Sequence, residues 1–149
     1  MVADGPTVHA TAVLAGARAV LIRGPAGAGK SRLALALIAA AQTGLLRFAR
    51  LVGDDRVHLE PSHGRLLVRP APTLAGMIEV RGIGIRRLGH EAVAVVGLVV
   101  DLAADDAERL PGDGNTVVEG IALPRLAIAP GVEPLNPVIA TFAITEGQH

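Results

Sequence analysis

The chain predicts an α/β protein built around a phosphate-binding loop, with a mixed central sheet and flanking helices. Three observations predict it. A short apolar strand, Ala19 to Ile22, runs almost directly into Gly24-Pro25-Ala26-Gly27-Ala28-Gly29-Lys30-Ser31. That stretch matches G-x-x-x-x-G-K-S/T in full. Behind it, Leu33, Ala34, Leu37, Ile38 and Ala41 recur at helical spacing.

A length of 149 residues fits one domain, 1–149. Half the residues are hydrophobic and 19% are charged, which excludes a long disordered chain. With two Phe and no Trp or Tyr, the core must come from Ala, Val, Leu and Ile. Such side chains bury little area each, so self-association is an expected source of extra stability. Lys plus Arg and Asp plus Glu stand at 14 each. A neutral chain without aromatic platforms is a poor nucleic-acid binder. The absence of Cys excludes disulfides and thiolate metal sites. The longest apolar run, Leu33 to Ala41, falls far short of the ~20 residues that span a bilayer. The first residues lack the basic start of a secretory signal. A cytoplasmic protein with no membrane partner is the expectation.

The elements follow in order. Val8 to Leu14 is Thr/Val-rich and suits a strand, and Ala19 to Ile22 is a second. The helix from Ser31 is apolar nearly all round and should be covered on most sides, with Gly44 as its stop. The period then shortens. Ala49 to Gly53, Arg56 to Glu60 and Leu66 to Arg69 read as strands, the last two separated by Pro61-Ser62-His63-Gly64. Pro70, Pro72 and Gly76 break the chain before a strand at Met77 to Val80. Arg86 and Arg87 read as a solvated turn. Ala92 to Val100 is unbroken and apolar, as a buried central strand should be. Ala103 to Leu110 reads as a short helix with acids at its start, and Pro111 to Asn115 as a loop. Val117 to Ile121 and Arg125 to Ile128 suit strands. Pro137 to Thr145 fits a helix or a strand equally.

The chemistry of the loop accounts for each residue type. Glycines let backbone N–H groups approach phosphate oxygens with no Cβ in the way. Lys30 brings a point charge to the β and γ phosphates, and Ser31 a hydroxyl to Mg²⁺. The following helix presents its N-terminus to the anion. The motif alone does not name a reaction. No N-K-x-D guanine-reading motif is present, which argues against a GTPase.

Asp54 and Asp55 end an apolar strand. Adjacent strand residues point to opposite faces, so one of the two should face the phosphates squarely. Near a polyphosphate one carboxylate can hold Mg²⁺ while another accepts a hydroxyl proton. Without the loop upstream, the pair would read equally well as a solvated turn.

Together these pieces resemble the catalytic domain of the HPr kinase/phosphorylase family. Besides the loop, Leu51-Val52-Gly53-Asp54-Asp55-Arg56-Val57 is similar to the family's L-I/V-A-D-D-R-V. Ile78-Glu79-Val80-Arg81-Gly82-Ile83-Gly84-Ile85 is similar to its L-E-I-R-G-L-G-I signature. His9 lies 21 residues before Lys30, where the family carries a catalytic histidine. The resemblance implies a fold related to phosphoenolpyruvate carboxykinase. It implies that ATP with Mg²⁺ phosphorylates a serine of the phosphocarrier protein HPr, and that inorganic phosphate reverses this. Carried over by residue, Asp54 would be the base and Asp55 its support. His9 would sit near the transferred group, Glu79 would help hold the metal and Arg81 would neutralise phosphate charge. Three places depart from the family. Arg32 stands where an acidic residue is usual, and Arg86-Arg87-Leu88 where the signature runs toward I-D-V. Ala129 to Asn136 carries no Arg or Lys where the family has a basic loop. A nucleotide-sensing module with weak or no transfer is the alternative. His58, His63, His90 and His149 show no metal-ligand spacing and read as surface residues.

Overall fold

The computed structural model describes residues 6–107 and 114–146. β1 (Thr11–Ala15) and β2 (Arg18–Arg23) form a tight antiparallel hairpin, and α1 spans Lys30–Gln42. β3 (Ala49–Gly53), β4 (Val57–Ser62), β5 (Arg65–Pro70), β6 (Met77–Val80), β7 (Gly84–Arg87) and β8 (Ala94–Asp101) follow. A single 3-10 turn at Pro72–Leu74 links β5 to β6, and β9 (Asn115–Val118), β10 (Ile121–Ala127) and α2 (Leu135–Glu146) complete the described elements. The strands run β3-β1-β2-β8-β10-β9 across a mixed eight-stranded sheet. β8 lies parallel to both β2 and β10, and its first residues also pair antiparallel with β5.

The sheet is covered differently on its two sides. One core joins Val13, Val20, Ile22, Leu98 and Val100 to Leu33 and Leu37 of α1 and to Val138 and Phe142 of α2. The other joins Ala12, Leu21, Val96 and Val99 to Val57, Leu66 and Val68 of the β4–β5 hairpin. Both described helices therefore lie in one core, and a hairpin closes the other. Each fully buried Leu, Ile or Val contributes roughly 1.5–3 kcal/mol, so the two aliphatic cores make up for the scarcity of aromatics.

One irregularity sets the facing of β8. Its register against β2 steps from Ala19↔Val96 to Val20↔Leu98, so Gly97 is an extra residue. Val96 and Val99 consequently share one core although three positions separate them, while Leu98 and Val100 face the other. Only glycine fits there, because a Cβ on Gly97 would lie 2.8 Å from side-chain carbons of Arg18.

Several expectations change. Val8 makes only an isolated bridge to Val57, and β1 begins at Thr11. Pro61 and Ser62 belong to β4, so the turn is only His63-Gly64, both with positive φ. Pro61 is tolerated because the side of β4 away from β5 is bridged only at Val57, by Val8, and has no strand partner at Pro61. Arg86 and Arg87 lie in β7, which forms a separate two-stranded hairpin with β6 and exposes Ile83 and Ile85. Residues 103–107 form turns without helix, and the rest of the expected helix, with Glu108 to Asp113, lies outside the described residues. His149 lies outside them too. Glu119-Gly120 is a turn between β9 and β10, so the expected strand at Val117 to Ile121 is split. Pro137 to Thr145 is helical. His58 is buried and its ring Nδ1–H donates to the Pro6 carbonyl at 3.2 Å, which removes it from the surface set. Among the described residues, no helix is long and apolar enough to cross a membrane.

Candidate active site

The loop leaves β2 at Gly24 and enters α1 at Lys30. Gly27 and Gly29 have φ of 83° and 102°, a left-handed conformation that favours glycine. A Cβ on either would meet no atom within 4 Å, so both open onto free space at the head of α1. This is a cradle suited to phosphate oxygens. Lys30 is buried, and its Nζ donates to the Gly24 and Pro25 carbonyls at 2.9 and 3.2 Å. Gly24, Pro25, Ala26 and Ala28 thus supply backbone to the loop, and Ala28 closes it through its N–H to the Pro25 carbonyl.

The foot of the loop is braced by ions. Asp101, at the end of β8, accepts from Arg23 Nε and Nη2 at 2.8 and 2.9 Å and from Arg125 Nε at 2.6 Å. Arg125 also donates to Asp106 at 2.8 and 3.1 Å. Burial pushes the Asp101 carboxyl up, but the hydrogen bonds and charges of Arg23 and Arg125 outweigh it and hold it below its ordinary value. The hydrogen bond from Arg125 lowers Asp106, and the two carboxylates raise Arg125. The charge of Asp101 is therefore spent on the ends of β2, β8 and β10, and it takes no place in the cleft.

The paired aspartates diverge. Asp54 is buried, and its Oδ1 accepts from Ser31 Oγ at 2.6 Å and Thr11 Oγ1 at 2.9 Å. Its Oδ2 accepts from the Glu79 N–H at 3.3 Å. Asp54 thereby ties α1, β1 and β6 together at one point. Asp55 turns outward with φ 71°, its N–H donating to Thr11 Oγ1 at 3.2 Å. Its carboxylate is 61% exposed and accepts from His9 Nε2 at 2.9 Å. His9 lies in the bend before β1, not on the strand itself.

These groups face one open cleft of about 500 Å³. The loop with Lys30 and Ser31, the His9–Asp55 pair, and Glu79 and Arg81 all line it. Glu79 is the penultimate residue of β6, Arg81 opens the turn after it, and both line the cleft. They form no ion pair with each other among the described residues. Of the expected catalytic set, His9, Asp55 and Arg81 line the cleft, whereas Asp54 is buried behind it and reaches it only through its hydrogen bonds with Ser31 and Thr11. Among the described residues, no cluster of three His, Asp or Glu stands ready to hold a metal alone. Ser31 and Glu79, which line the cleft, fit Mg²⁺ of the kind that shares its ligands with substrate phosphates, and Asp54 orients the Ser31 hydroxyl from behind.

Two members of the site escape sequence reasoning. Thr11 links Asp54 to Asp55, and its signal is a single hydroxyl in an apolar strand two residues after His9. Arg32 also lines the cleft.

Comparison with known proteins places these features in context. The family model for the HPr serine kinase C-terminal domain matches residues 1–93. The HPr kinase/phosphorylase of Streptococcus thermophilus is 39% identical over 139 residues, covering 85% of this chain and 43% of that one. The HPr kinase/phosphorylase of Mycoplasma mycoides is 30% identical over 149 residues, covering 87% of this chain and 45% of that one. The chain thus spans less than half the length of these curated relatives. The structure of the HPr(Ser) kinase/phosphatase from Coxiella burnetii superposes with a TM-score of 0.78 at 24% identity, over 97% of this chain and 92% of that one. That structure shows a shared fold over 97% of this chain, and the family-model match over residues 1–93 shows that the chain belongs to the HPr serine kinase C-terminal domain family.

Proposed function

We propose that the chain is an ATP-dependent, Mg²⁺-requiring kinase that phosphorylates a serine of HPr and runs the reverse phosphorolysis at the same cleft. The observation that carries this reading is the convergence of Lys30 and Ser31, the latter held by Asp54 from behind, with the exposed Asp55–His9 pair on one cleft. A nucleotide site alone has no need of an accessible carboxylate beside it. A donor of this kind suits a cytoplasmic setting.

The geometry favours one change to the roles implied by the family resemblance. Asp54 is enclosed by three donors, so its lone pairs are committed to holding Ser31 and the β6 backbone. Asp55 is accessible, so the serine hydroxyl proton passes to Asp55 as the oxygen attacks the γ-phosphorus and ADP departs. His9 holds the Asp55 carboxylate in place through its Nε2–H. In the reverse direction Asp55 returns the proton to the serine oxygen as inorganic phosphate takes the phosphoryl group, giving pyrophosphate. Mg²⁺, when bound, screens the phosphate charges. Arg81 meets charge on the transferred oxygens, and Lys30 the β and γ phosphates. Positioning and charge dominate such transfers.

A second reading, a nucleotide sensor with weak or no transfer, is favoured by the absence of Arg and Lys from Ala129 to Asn136. Incubation with labelled ATP and purified HPr separates the two. Label on HPr supports the kinase, and ATP binding without label supports the sensor.

A further inference from the structure

Arg32 occupies the first turn of α1 and faces the cleft together with Ser31 and Leu35, three and four positions apart on one helical stripe. The opposite stripe, Leu33, Ala34 and Leu37, is buried in the core. Its side chain has no hydrogen-bond or ion-pair partner among the described residues. No acidic residue lies in the first turn to offset it. A cation there is repelled by the positive end of the helix, so in the free protein the placement is unfavourable.

Charge balance gives the placement a use. Lys30 and Arg81 bring two positive charges to the cleft and Asp55 and Glu79 two negative ones, while Asp54 adds a third negative charge buried directly behind Ser31. Without Arg32 the site would be negative by one charge and would repel a polyphosphate. With Arg32 it is neutral, and its cations flank the open glycine cradle.

We propose that Arg32 is a direct ligand of the nucleotide's polyphosphate chain, a third cation beside Lys30 and Arg81. The inference rests on the nucleotide-binding reading above. The guanidinium donates charge-assisted hydrogen bonds to phosphate oxygens, and the anion in turn relieves the repulsion between Arg32 and the helix.

The test is calorimetric titration of the parent chain, Arg32→Ala, Arg32→Lys and Arg32→Glu with MgATP and MgADP at low and high salt. Arg32→Ala should raise the dissociation constant on the order of tenfold, the scale of one lost charge-assisted contact. Arg32→Lys should keep most of the affinity and Arg32→Glu should lose more than Ala. The differences should shrink as salt rises. The melting temperature of free Arg32→Ala should equal or exceed the parent's, because an unfavourable charge has gone. Tight MgATP binding by the parent with equal binding by Arg32→Ala overturns this inference alone. Failure of the parent to bind MgATP overturns the nucleotide reading and this inference with it. A melting temperature in Arg32→Ala low enough to explain its weaker binding gives Arg32 a structural role and also overturns it.

Discussion

Exchanging each of the two adjacent aspartates for Asn separates their roles, because Asn keeps shape and removes charge. At Asp55 the residue sits at φ 71° with an exposed side chain, and Asn is among the residues that best tolerate that conformation. Asp55→Asn should therefore melt within a few degrees of the parent and bind MgATP normally. It should lose phosphoryl transfer by ~10²-fold or more, the scale of a missing general base. At position 54 the amide oxygen can accept from the Glu79 N–H, and the amide nitrogen can face the Ser31 and Thr11 hydroxyls, which are able to accept in turn. Asp54→Asn should therefore keep its fold but raise the Mg²⁺ needed for activity. Asp54→Ala differs again. Ser31 can turn into the cleft, but the Thr11 hydroxyl is fully buried, and it and the Glu79 N–H lose their acceptor. Two orphaned donors at ~1–3 kcal/mol each imply a loss of about 2–6 kcal/mol, or roughly 5–20 °C in melting temperature. Thermal melts, MgATP titration and transfer of label to HPr, run on all three variants, give the answer. Full transfer by Asp55→Asn together with its loss in Asp54→Asn at saturating Mg²⁺ would return the base to Asp54 and refute the reasoning.

Lys30→Ala should abolish tight nucleotide binding while the fold survives, since its Nζ contacts only two loop carbonyls; equal MgATP affinity in both proteins contradicts this. Glu79→Gln should raise the Mg²⁺ needed for half-maximal rate, whereas Arg81→Ala should lower turnover even at saturating Mg²⁺. Turnover curves unchanged in both variants would make them surface residues, where a charge is worth only ~0–1 kcal/mol of stability. Asp101→Asn should cost about 2–3 kcal/mol at neutral pH by stripping Arg23 and Arg125 of their shared carboxylate. Because the folded carboxyl is held below its ordinary value, that contribution is complete above ~pH 4 and disappears as pH falls through the lowered value. Urea unfolding from pH 7 downward should show the gap between parent and variant closing only below ~pH 4, and a gap that closes at higher pH refutes the assignment.

The parts of the site legible in the sequence are those encoded locally. The loop, the strand before it and the helix after it occupy one stretch, and glycine and lysine there have few other uses. The Asp54-Asp55 pair was legible as a pair, but its inward member was not. Thr11, 43 positions away, fixes Asp54 by hydrogen bond. The Arg23–Asp101 bridge spans 78 positions and exists only because β2 and β8 run parallel. β7 escaped because Gly84-Ile85-Arg86-Arg87 is wholly exposed, so no core imposes an alternating pattern on it. α2 stayed ambiguous because its β-branched, apolar composition suits either state, and packing against α1 selects the helix.

The bulge at Gly97 separates chain length from side-chain phase in β8. Deleting Gly97 would join Val96 directly to Leu98, opposite the consecutive Ala19 and Val20, so every later residue would keep its present face. Flattening the bulge into regular pairing, with Gly97 opposite Val20, would instead trade Val99 and Val100 between cores and carry the Asp101 carboxylate away from the side from which Arg23 and Arg125 reach it. Insertions and deletions in the turns on either side of β8 leave this phase untouched. Homologous exchange of β8 should therefore tolerate a strand one residue shorter that lacks the bulge, and should fail with a strand of eight residues paired without one.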